Sequence, residues 1–257
     1  MFTRRIGFGW DVDGTPRGFG VITPYVCAPG EDQPTIGFLA TCADCVGGVA
    51  ATRSTAPAVA VTTELRVMVV GRAKDSEFAT TTSIVRAGRR STVVNVTFTS
   101  AAEVFATSTI AFARSETLVD PDAVDWSSPA LPPTIDLVDL VGCRTVATGV
   151  VAVDPTDATR NPSQSLQGGV HAIAIERAVR SIAPPGLVVR DLQVRYHRPV
   201  LTALRAEVAS AHHDGPLSWY DGVLTDRGAP SVAAGATVVM GPMPQATTPR
   251  TIAPVRT

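Results

Sequence analysis

An internal repeat is the feature that most constrains what this chain can fold into. A glycine-bearing turn leads into an apolar helix with one carboxylate between Thr35 and Asp44, and the same arrangement recurs between Gln167 and Glu176 at the same spacing. The following segments also match, because TELRV at 63–67 is echoed by RDLQV at 190–194. A repeat of roughly 125 residues is too long for a solenoid unit. We therefore predict two fused copies of one small domain.

Composition narrows the class of protein. Lys and Arg number 22 against 23 Asp and Glu, which leaves no basic field to hold nucleic acid. No apolar run approaches the roughly 20 residues of a membrane span, and the N-terminus lacks the apolar stretch of a signal peptide. The 4 cysteines are too few for a disulfide framework. We expect a cytoplasmic protein with neither a nucleic-acid partner nor a membrane span.

Runs rich in Val and Thr, with a period near two, follow the first helix, and similar runs precede and follow the second; they predict antiparallel strands. The predicted strands are 59–70, 78–87, 91–100 and 104–113 in the first copy, and 146–153, 187–200, 204–212, 217–225 and 231–240 in the second. The glycine-flanked phenylalanines at 7–9 and 18–20 lack a phosphate-loop pattern and are interpreted as turns.

A stretch dense in Pro, Ser and Asp separates the two copies and is typical of an extended connector. The sequence thus predicts an α+β protein. It consists of a first domain at 1–114, a Pro/Ser-rich linker at 115–134, a second domain at 135–241 and a loosely ordered tail at 242–257.

The two helices, predicted at 39–52 and 169–182, each carry one carboxylate, and the two carboxylates have different surroundings. The first is apolar on every side and is therefore expected to be buried. Asp44 has no basic residue within two turns, and an unpaired buried carboxylate is costly, so a functional role is favoured over a solvent-facing one. Glu176 has Arg180 four residues on, and an ordinary helix-surface pair explains it equally well.

The turn before the second helix resembles a known signature. The segment NPSQSLQGG at 161–169, with Glu176 further along, resembles the Asn-x-x-x-x-Leu-His-Gly-Gly motif of hotdog-fold acyl-CoA thioesterases, with Gln167 in place of His. The first copy, through 39–44, 61–67 and 86–90, resembles the phenylacetyl-CoA and hydroxybenzoyl-CoA thioesterases, in the branch whose helix carries Asp. The resemblance covers residues 5–114 and 135–241. It implies a double hotdog with two central helices, each wrapped by an antiparallel β-sheet.

The same resemblance implies an activity, the hydrolysis of an acyl-CoA to free acid and coenzyme A at the interface of the two halves. In the family, the turn of one hotdog works with the acid of its partner, so Asn161, Gln167 and Gly168 would face Asp44. Amide groups at the helix start would stabilise an oxyanion. Asp44 would act as general base or as nucleophile, with a pKa raised by its apolar surroundings, and both mechanisms stay open.

The implied partners are few. Coenzyme A arrives as part of the substrate, so no separate cofactor and no metal is implied; fatty acid metabolism is the implied setting, and homo-oligomers of such chains are compatible with it. Arg86, Arg89 and Arg90 surround a predicted hairpin turn at Gly88. Most such clusters are merely solvated, but an arginine fork is a natural grip for the phosphates of coenzyme A.

Two alternatives from other classes remain. A catalytically silent acyl-CoA-binding or scaffold protein of hotdog fold is supported by Gln167 and by Thr35 and Ile36, which replace His-Gly in the first turn. A hydratase or dehydratase of this fold wants a His about five residues after its Asp, and neither Asp44 nor Glu176 has one.

The two candidate sites of such a pair are predicted to be unequal. The site of Glu176 would face Pro29, Thr35 and Ile36, which offer neither a side-chain amide nor room for a substrate. Catalysis is therefore expected at Asp44. The CxxC spacing of Cys42 and Cys45 falls inside the apolar helix rather than at a helix start, which argues against redox or metal use.

Overall fold

The computed structural model describes residues 5–120, 125–131, 133–161, 163–229 and 231–244. Two long helices, α1 (Ile36–Thr55) and α3 (Gly168–Arg180), and a short one, α2 (Leu137–Leu140), accompany 12 strands in this part of the chain. Both long helices form where the sequence predicts them, and α1 extends three residues further at each end. The predicted tail lies outside the described residues from position 245 onward. No helix in the described ranges is long and apolar enough to span a membrane.

The strands follow the predicted order closely. They are β1 (Phe8–Asp11), β2 (Arg17–Val21), β3 (Ala58–Val69), β4 (Glu77–Ala87), β5 (Ser91–Ser100), β6 (Glu103–Leu118), β7 (Cys143–Ala147), β8 (Val150–Val153), β9 (Val188–Tyr196), β10 (Leu204–Asp214), β11 (Leu217–Asp226) and β12 (Val232–Gly241).

Two local predictions were wrong. The single strand at 146–153 is a hairpin of β7 and β8, which turns at Gly149 with a positive φ of 76° that glycine adopts without strain. The segments interpreted as turns near Phe8 and Phe19 belong to β1 and β2. Glycine occurs in β2 because a Cβ at Gly18 or Gly20 would collide with the rings of Phe8 or Phe78.

All 12 strands form one antiparallel sheet, in the order β1-β2-β4-β5-β6-β3-β9-β12-β11-β10-β8-β7. Outward from the central pair, β3 and β9, the first half reads β6, β5, β4, β2, β1 and the second reads β12, β11, β10, β8, β7. The repeated pentapeptides form this centre, where Arg66 lies opposite Gln193. The sheets of the two halves are thus continuous, α1 packs mainly on strands of the first half, and α3 packs mainly on those of the second.

The two long helices approach each other closely through their first turns. A Cβ at Gly37 of α1 would lie 2.8 Å from Ile173 Cα of α3, and a Cβ at Gly169 of α3 would lie 2.5 Å from Thr41 Cα of α1. Glycine at both positions allows this backbone contact. Because each helix start lies beside the second turn of the other helix, Asp44 of α1 comes to the N-terminus of α3.

The connector between the halves folds back on the first one. Strand β6 continues to Leu118, four residues past the predicted domain boundary at 114. Further on, Ser128 pairs with Trp10 of β1 as an isolated bridge, and the Trp10 indole donates a 2.7 Å hydrogen bond to the carbonyl of Trp126. The connector is therefore anchored to β1 of the first half.

Candidate active site

A cavity of about 600 Å³ lies between the two halves, with α1 and the start of α3 in its wall. Each half contributes a different lining. The first half supplies the larger apolar side chains, both halves supply polar groups, and the second half adds the loop after β9. The lining from the first half includes Trp10, Asp44, Val49, Val59, Thr62, Phe112 and Trp126, and that from the second includes Asn161, Ser163, Gln167, Gly168, His171, Tyr196, Arg198 and Val200.

The carboxylate of Asp44 faces the first turn of α3 in this cavity. Thr62 on β3 donates a 2.6 Å hydrogen bond to Asp44 Oδ1, and the Gly169 amide donates one of 3.4 Å to Oδ2. Gly168 lies so close that a Cβ there would be 3.0 Å from Asp44 Oδ2. The carboxylate thus lies at the positive end of the α3 dipole, which stabilises negative charge.

Two opposing effects set the pKa of Asp44. Burial raises it, while hydrogen bonds from Thr62 and from the amides of Gly169 and Gly168 lower it, and burial prevails. The pKa of Asp44 is therefore above its ordinary value of 3.8. Near neutral pH this carboxylate is a stronger base than an exposed aspartate.

Asn161 and Gln167 line the same cavity but are bonded within their own loop. Asn161 donates from Nδ2 to Ser165 Oγ at 2.8 Å and accepts the Ser165 amide at 3.1 Å. Gln167 donates from Nε2 to the carbonyl of Arg160 at 3.2 Å. Four of the residues predicted to be catalytic thus lie in one cavity. The side chains of Asn161 and Gln167 shape its wall, while Asp44 and Gly168 face each other.

Glu176, the other predicted catalytic carboxylate, lies outside this cavity and is only 3% exposed. It accepts a 2.7 Å hydrogen bond from the Gly37 amide and pairs with Arg180 at 2.9 Å, and Arg180 also pairs with Glu31 at 2.6 Å. The void lined by its partner Arg180 and by Glu31 is only about 10 Å³. The two carboxylates meet helix starts in corresponding ways, but the space beside Glu176 is filled.

The three arginines of the predicted phosphate grip are exposed at the β4–β5 hairpin and are not among the cavity-lining residues. The hairpin nevertheless lies close to the cavity, because the carbonyl of Arg90 accepts a 3.1 Å hydrogen bond from the amide of Arg114 on β6. Phe112 and Ser115 of the same stretch of β6 line the cavity. The three arginines thus lie outside the cavity wall, on a hairpin that is bonded to a strand lining the cavity.

Three cavity residues were missed by the sequence analysis. Thr62 and Tyr196 come from β3 and β9, and the Tyr196 hydroxyl donates a 2.8 Å hydrogen bond to the carbonyl of Gly168. Burial, and secondarily the charge of Asp44, raise the pKa of Tyr196. The third is His171 of α3. The alternation of side chains along β3 could have indicated which face of the strand Thr62 lies on. It could not have indicated that Asp44 lies against that face, because tertiary packing determines this.

The loop after β9, which forms one wall of the cavity, is held in place by Asp226 at the end of β11. Asp226, which is 5% exposed, accepts hydrogen bonds from the amides of Leu201 (2.9 Å), Thr202, Ala203 and Gly228 (3.3 Å each), and from the Thr202 hydroxyl. Burial alone would raise the pKa of Asp226, but these hydrogen bonds outweigh it and lower the pKa to about 2.

Replacing Asp226 with Asn is expected to lower the free energy of unfolding at pH 7 by about 1–3 kcal/mol, because an amide cannot accept all of these hydrogen bonds. A lowered folded-state pKa stabilises the fold above pH 4, and that contribution is lost as the pH falls toward 2. Denaturant titrations across this range should therefore show a steeper acid loss for the native chain than for the variant. Asp221→Asn, an exposed change on the same strand, is the matched control; equal acid sensitivity of the native chain and Asp226→Asn would contradict the assignment.

No protein-family model and no curated protein matches the chain. Solved structures do match. The chain is similar to the tesB protein of Mycobacterium avium subsp. paratuberculosis, with a TM-score of 0.62 at 16% identity over 90% of this chain and 94% of that one. It is similar to a protein of Alicyclobacillus acidocaldarius described as having the hotdog fold, with a TM-score of 0.58 at 16% identity over 93% and 97%.

A third similar structure is an acyl-CoA thioesterase II of Mycobacterium marinum, with a TM-score of 0.57 at 13% identity over 94% of this chain and 97% of that one. A large antiparallel sheet with few helices, matched over nearly the whole length of such proteins, defines an α+β hotdog fold. The chain has this fold, and the resemblance seen in the sequence is confirmed at that level. At identities this low the likeness establishes the fold and not the activity.

Proposed function

We propose that this protein is a double-hotdog acyl-CoA thioesterase, which hydrolyses an acyl-CoA to free acid and coenzyme A between its two halves. The observation that carries the proposal is the Asp44 carboxylate, held by Thr62 in a cavity of about 600 Å³ and facing the glycine start of α3. A base with a raised pKa and oriented amides are the two groups that thioester hydrolysis requires. The equivalent strand orders of the two halves, read outward from β3 and β9, support the double-hotdog fold. The name of the Mycobacterium marinum structure supports the substrate class.

The proposed reaction uses the amides that hold Asp44 when no substrate is bound. A thioester carbonyl at the start of α3 would take over these N–H groups, and the missing Cβ of Gly168 leaves room for it. Asp44 would then either take a proton from the attacking water or attack the thioester carbon itself. In both routes the carbon–sulfur bond breaks and the coenzyme A thiolate leaves and is protonated. Hydrolysis of the acyl-aspartyl anhydride would complete the second route.

Thiol release from a panel of short, medium, long and aromatic acyl-CoAs tests this proposal directly. Turnover that depends on Asp44 supports a thioesterase. Tight binding of acyl-CoA without thiol release from any of them supports the silent binding protein instead. Enoyl-CoA and 3-hydroxyacyl-CoA should be added as separate substrates and followed by the enoyl-CoA absorbance, because His171 of the second half lines the same cavity as Asp44 of the first, an arrangement that spacing within one helix does not show.

The β4–β5 hairpin is proposed to anchor the phosphates of coenzyme A. Replacing Arg86, Arg89 and Arg90 together with Ala is expected to raise the KM for acyl-CoA about tenfold at low salt, because charge-assisted contacts to phosphate are lost. The difference should shrink as salt screens exposed charges. The corresponding acyl-pantetheine, which has no nucleotide phosphates, is the matched control and should be hydrolysed equally by both proteins. An unchanged KM for acyl-CoA would remove the hairpin from the site.

A further inference from the structure

The imidazole of His171 forms part of the cavity wall beside the proposed reacting centre. His171 is 2% exposed and follows Gly168 by three residues on α3, which is about 4.5 Å along a helix axis. Its ring meets Tyr196 edge-on with 5.2 Å between ring centroids, and the Tyr196 hydroxyl donates to the Gly168 carbonyl. The imidazole of His171 is therefore close enough to a substrate carbonyl at Gly168 to meet a group a few carbons along the acyl chain.

The hydrogen bonding of the ring fixes which nitrogen carries the proton. Nδ1 lies 3.0 Å from the carbonyl oxygen of Gln167, and since that oxygen can only accept, Nδ1 must donate. Burial lowers the pKa of His171 to about 4, although the hydrogen bond to Gln167 opposes the shift, so the ring is neutral near pH 7. Nε2 is consequently a hydrogen-bond acceptor.

Nε2 has no hydrogen-bond partner among the described residues. A buried acceptor without a donor is costly, and such atoms in a binding cavity are commonly satisfied by the ligand. Leu166 and Val200 of the same cavity are apolar, and the Tyr196 hydroxyl proton is already donated to Gly168. A hydrocarbon acyl chain could not supply the missing donor, whereas an acyl chain with a hydroxyl group could.

We propose that this cavity selects acyl thioesters with a hydroxyl group a few carbons from the thioester carbonyl, and that this hydroxyl donates to His171 Nε2. The inference rests on the proposed function, since it names the acyl group that the same site takes. Discrimination follows because an analogue without the hydroxyl leaves a desolvated acceptor unpaired. The other donors on such a substrate belong to coenzyme A itself, nearest among them the amides and the hydroxyl of the pantetheine arm, and every coenzyme A thioester has them in common.

Matched pairs of hydroxyacyl-CoA and plain acyl-CoA of equal chain length test the proposal. The native protein should favour the hydroxylated member by about tenfold or more in kcat/KM. In His171→Leu the ratio should fall to near one, chiefly through loss of activity on the hydroxylated member. His171→Gln, which can place an acceptor oxygen close to the position of Nε2, should keep part of the preference. His212→Leu, an exposed change on β10, should keep all of it.

A preference that is absent in the native protein, or unchanged in His171→Leu, would overturn the proposal. Equal losses on both members of a pair would do the same, because they would place the donor on the pantetheine arm. His171→Leu removes the Nδ1 hydrogen bond to the Gln167 carbonyl as well as the unpaired Nε2, so the melting temperature is measured alongside the rates, and His171→Gln provides a second variant if His171→Leu is destabilised.

Calorimetry with the Asp44→Asn variant separates this proposal from the proposed function. Tighter binding of the hydroxylated member, lost in the Asp44→Asn/His171→Leu double variant, would support the selectivity even if the native protein hydrolysed no thioester. Hydrolysis by the native protein without such a difference in binding would support the activity and reject the selectivity.

Discussion

Replacing Asp44 with Asn is expected to lower kcat/KM for acyl-CoA hydrolysis by about a hundredfold or more. The change keeps the size of the side chain and its hydrogen bond with Thr62 but removes the base or nucleophile from the cavity. Loss of a positioned acid or base typically costs a factor of 10²–10⁴. Initial rates of thiol release at saturating and subsaturating acyl-CoA measure the effect.

Glu176→Gln is the matched control, since it makes the same chemical change at the corresponding position of the other half. An amide oxygen can still accept from Gly37, and Arg180 retains Glu31, so the variant should fold with reduced stability and nearly full turnover per folded molecule. Loss of turnover in Glu176→Gln with activity retained in Asp44→Asn would refute the assignment of the site.

The pH dependence follows from the raised pKa of Asp44. The ionised carboxylate is the active form in either mechanism, so kcat/KM should fall as the pH decreases through the pKa of Asp44, above the ordinary 3.8. The residual activity of Asp44→Asn should lack this acidic limb. A limb of unchanged position in the variant would assign it to another group.

The sequence was informative about the first helix and its neighbours. The all-apolar pattern of α1 predicted its burial, and the absence of a nearby cation marked Asp44 as unusual. The meeting of Asp44 with Gly168 could be expected only through the family resemblance, because those residues lie on different halves. Local pattern predicts what each element buries, but not which element of the other half lies against it.

Thr62, Tyr196 and His171 could not be assigned to the cavity from the sequence, because their positions in it depend on which elements of the two halves meet. In sequence, His171 is one polar residue among apolar neighbours at the start of a helix. Only the fold shows that Gln167 uses one ring nitrogen and leaves the other facing no described partner. The connector shows the same limit. Its prolines predict an extended chain, but Trp10, far away in sequence, determines where it docks.

Gly169→Ala is expected to be the most destabilising single-atom addition at the interface of the two helices. The new Cβ would lie 2.5 Å from Thr41 Cα and 2.5 Å from Thr41 Oγ1, so α1 and α3 would have to separate. Overpacking of this kind costs about 1–3 kcal/mol, and more when the obstacle is backbone that cannot rotate away. The free energy of unfolding from denaturant titration measures it, and Asp44 should lose its contact with the α3 amides in any folded remainder.

Gly48→Ala makes the same chemical change within α1 and should have the opposite sign. A Cβ at Gly48 would meet only a ring carbon of Phe112, at the ordinary distance of 3.8 Å. Alanine in a helix interior is more favourable than glycine by about 0.8–1.0 kcal/mol, so this variant should gain stability. Since both substitutions reduce the entropy of the unfolded chain alike, the difference between them isolates the contact of the two helices. Equal stability of Gly169→Ala and Gly48→Ala would mean that α1 and α3 are not packed backbone against backbone, and the placement of Asp44 at the start of α3 would then lose its structural basis.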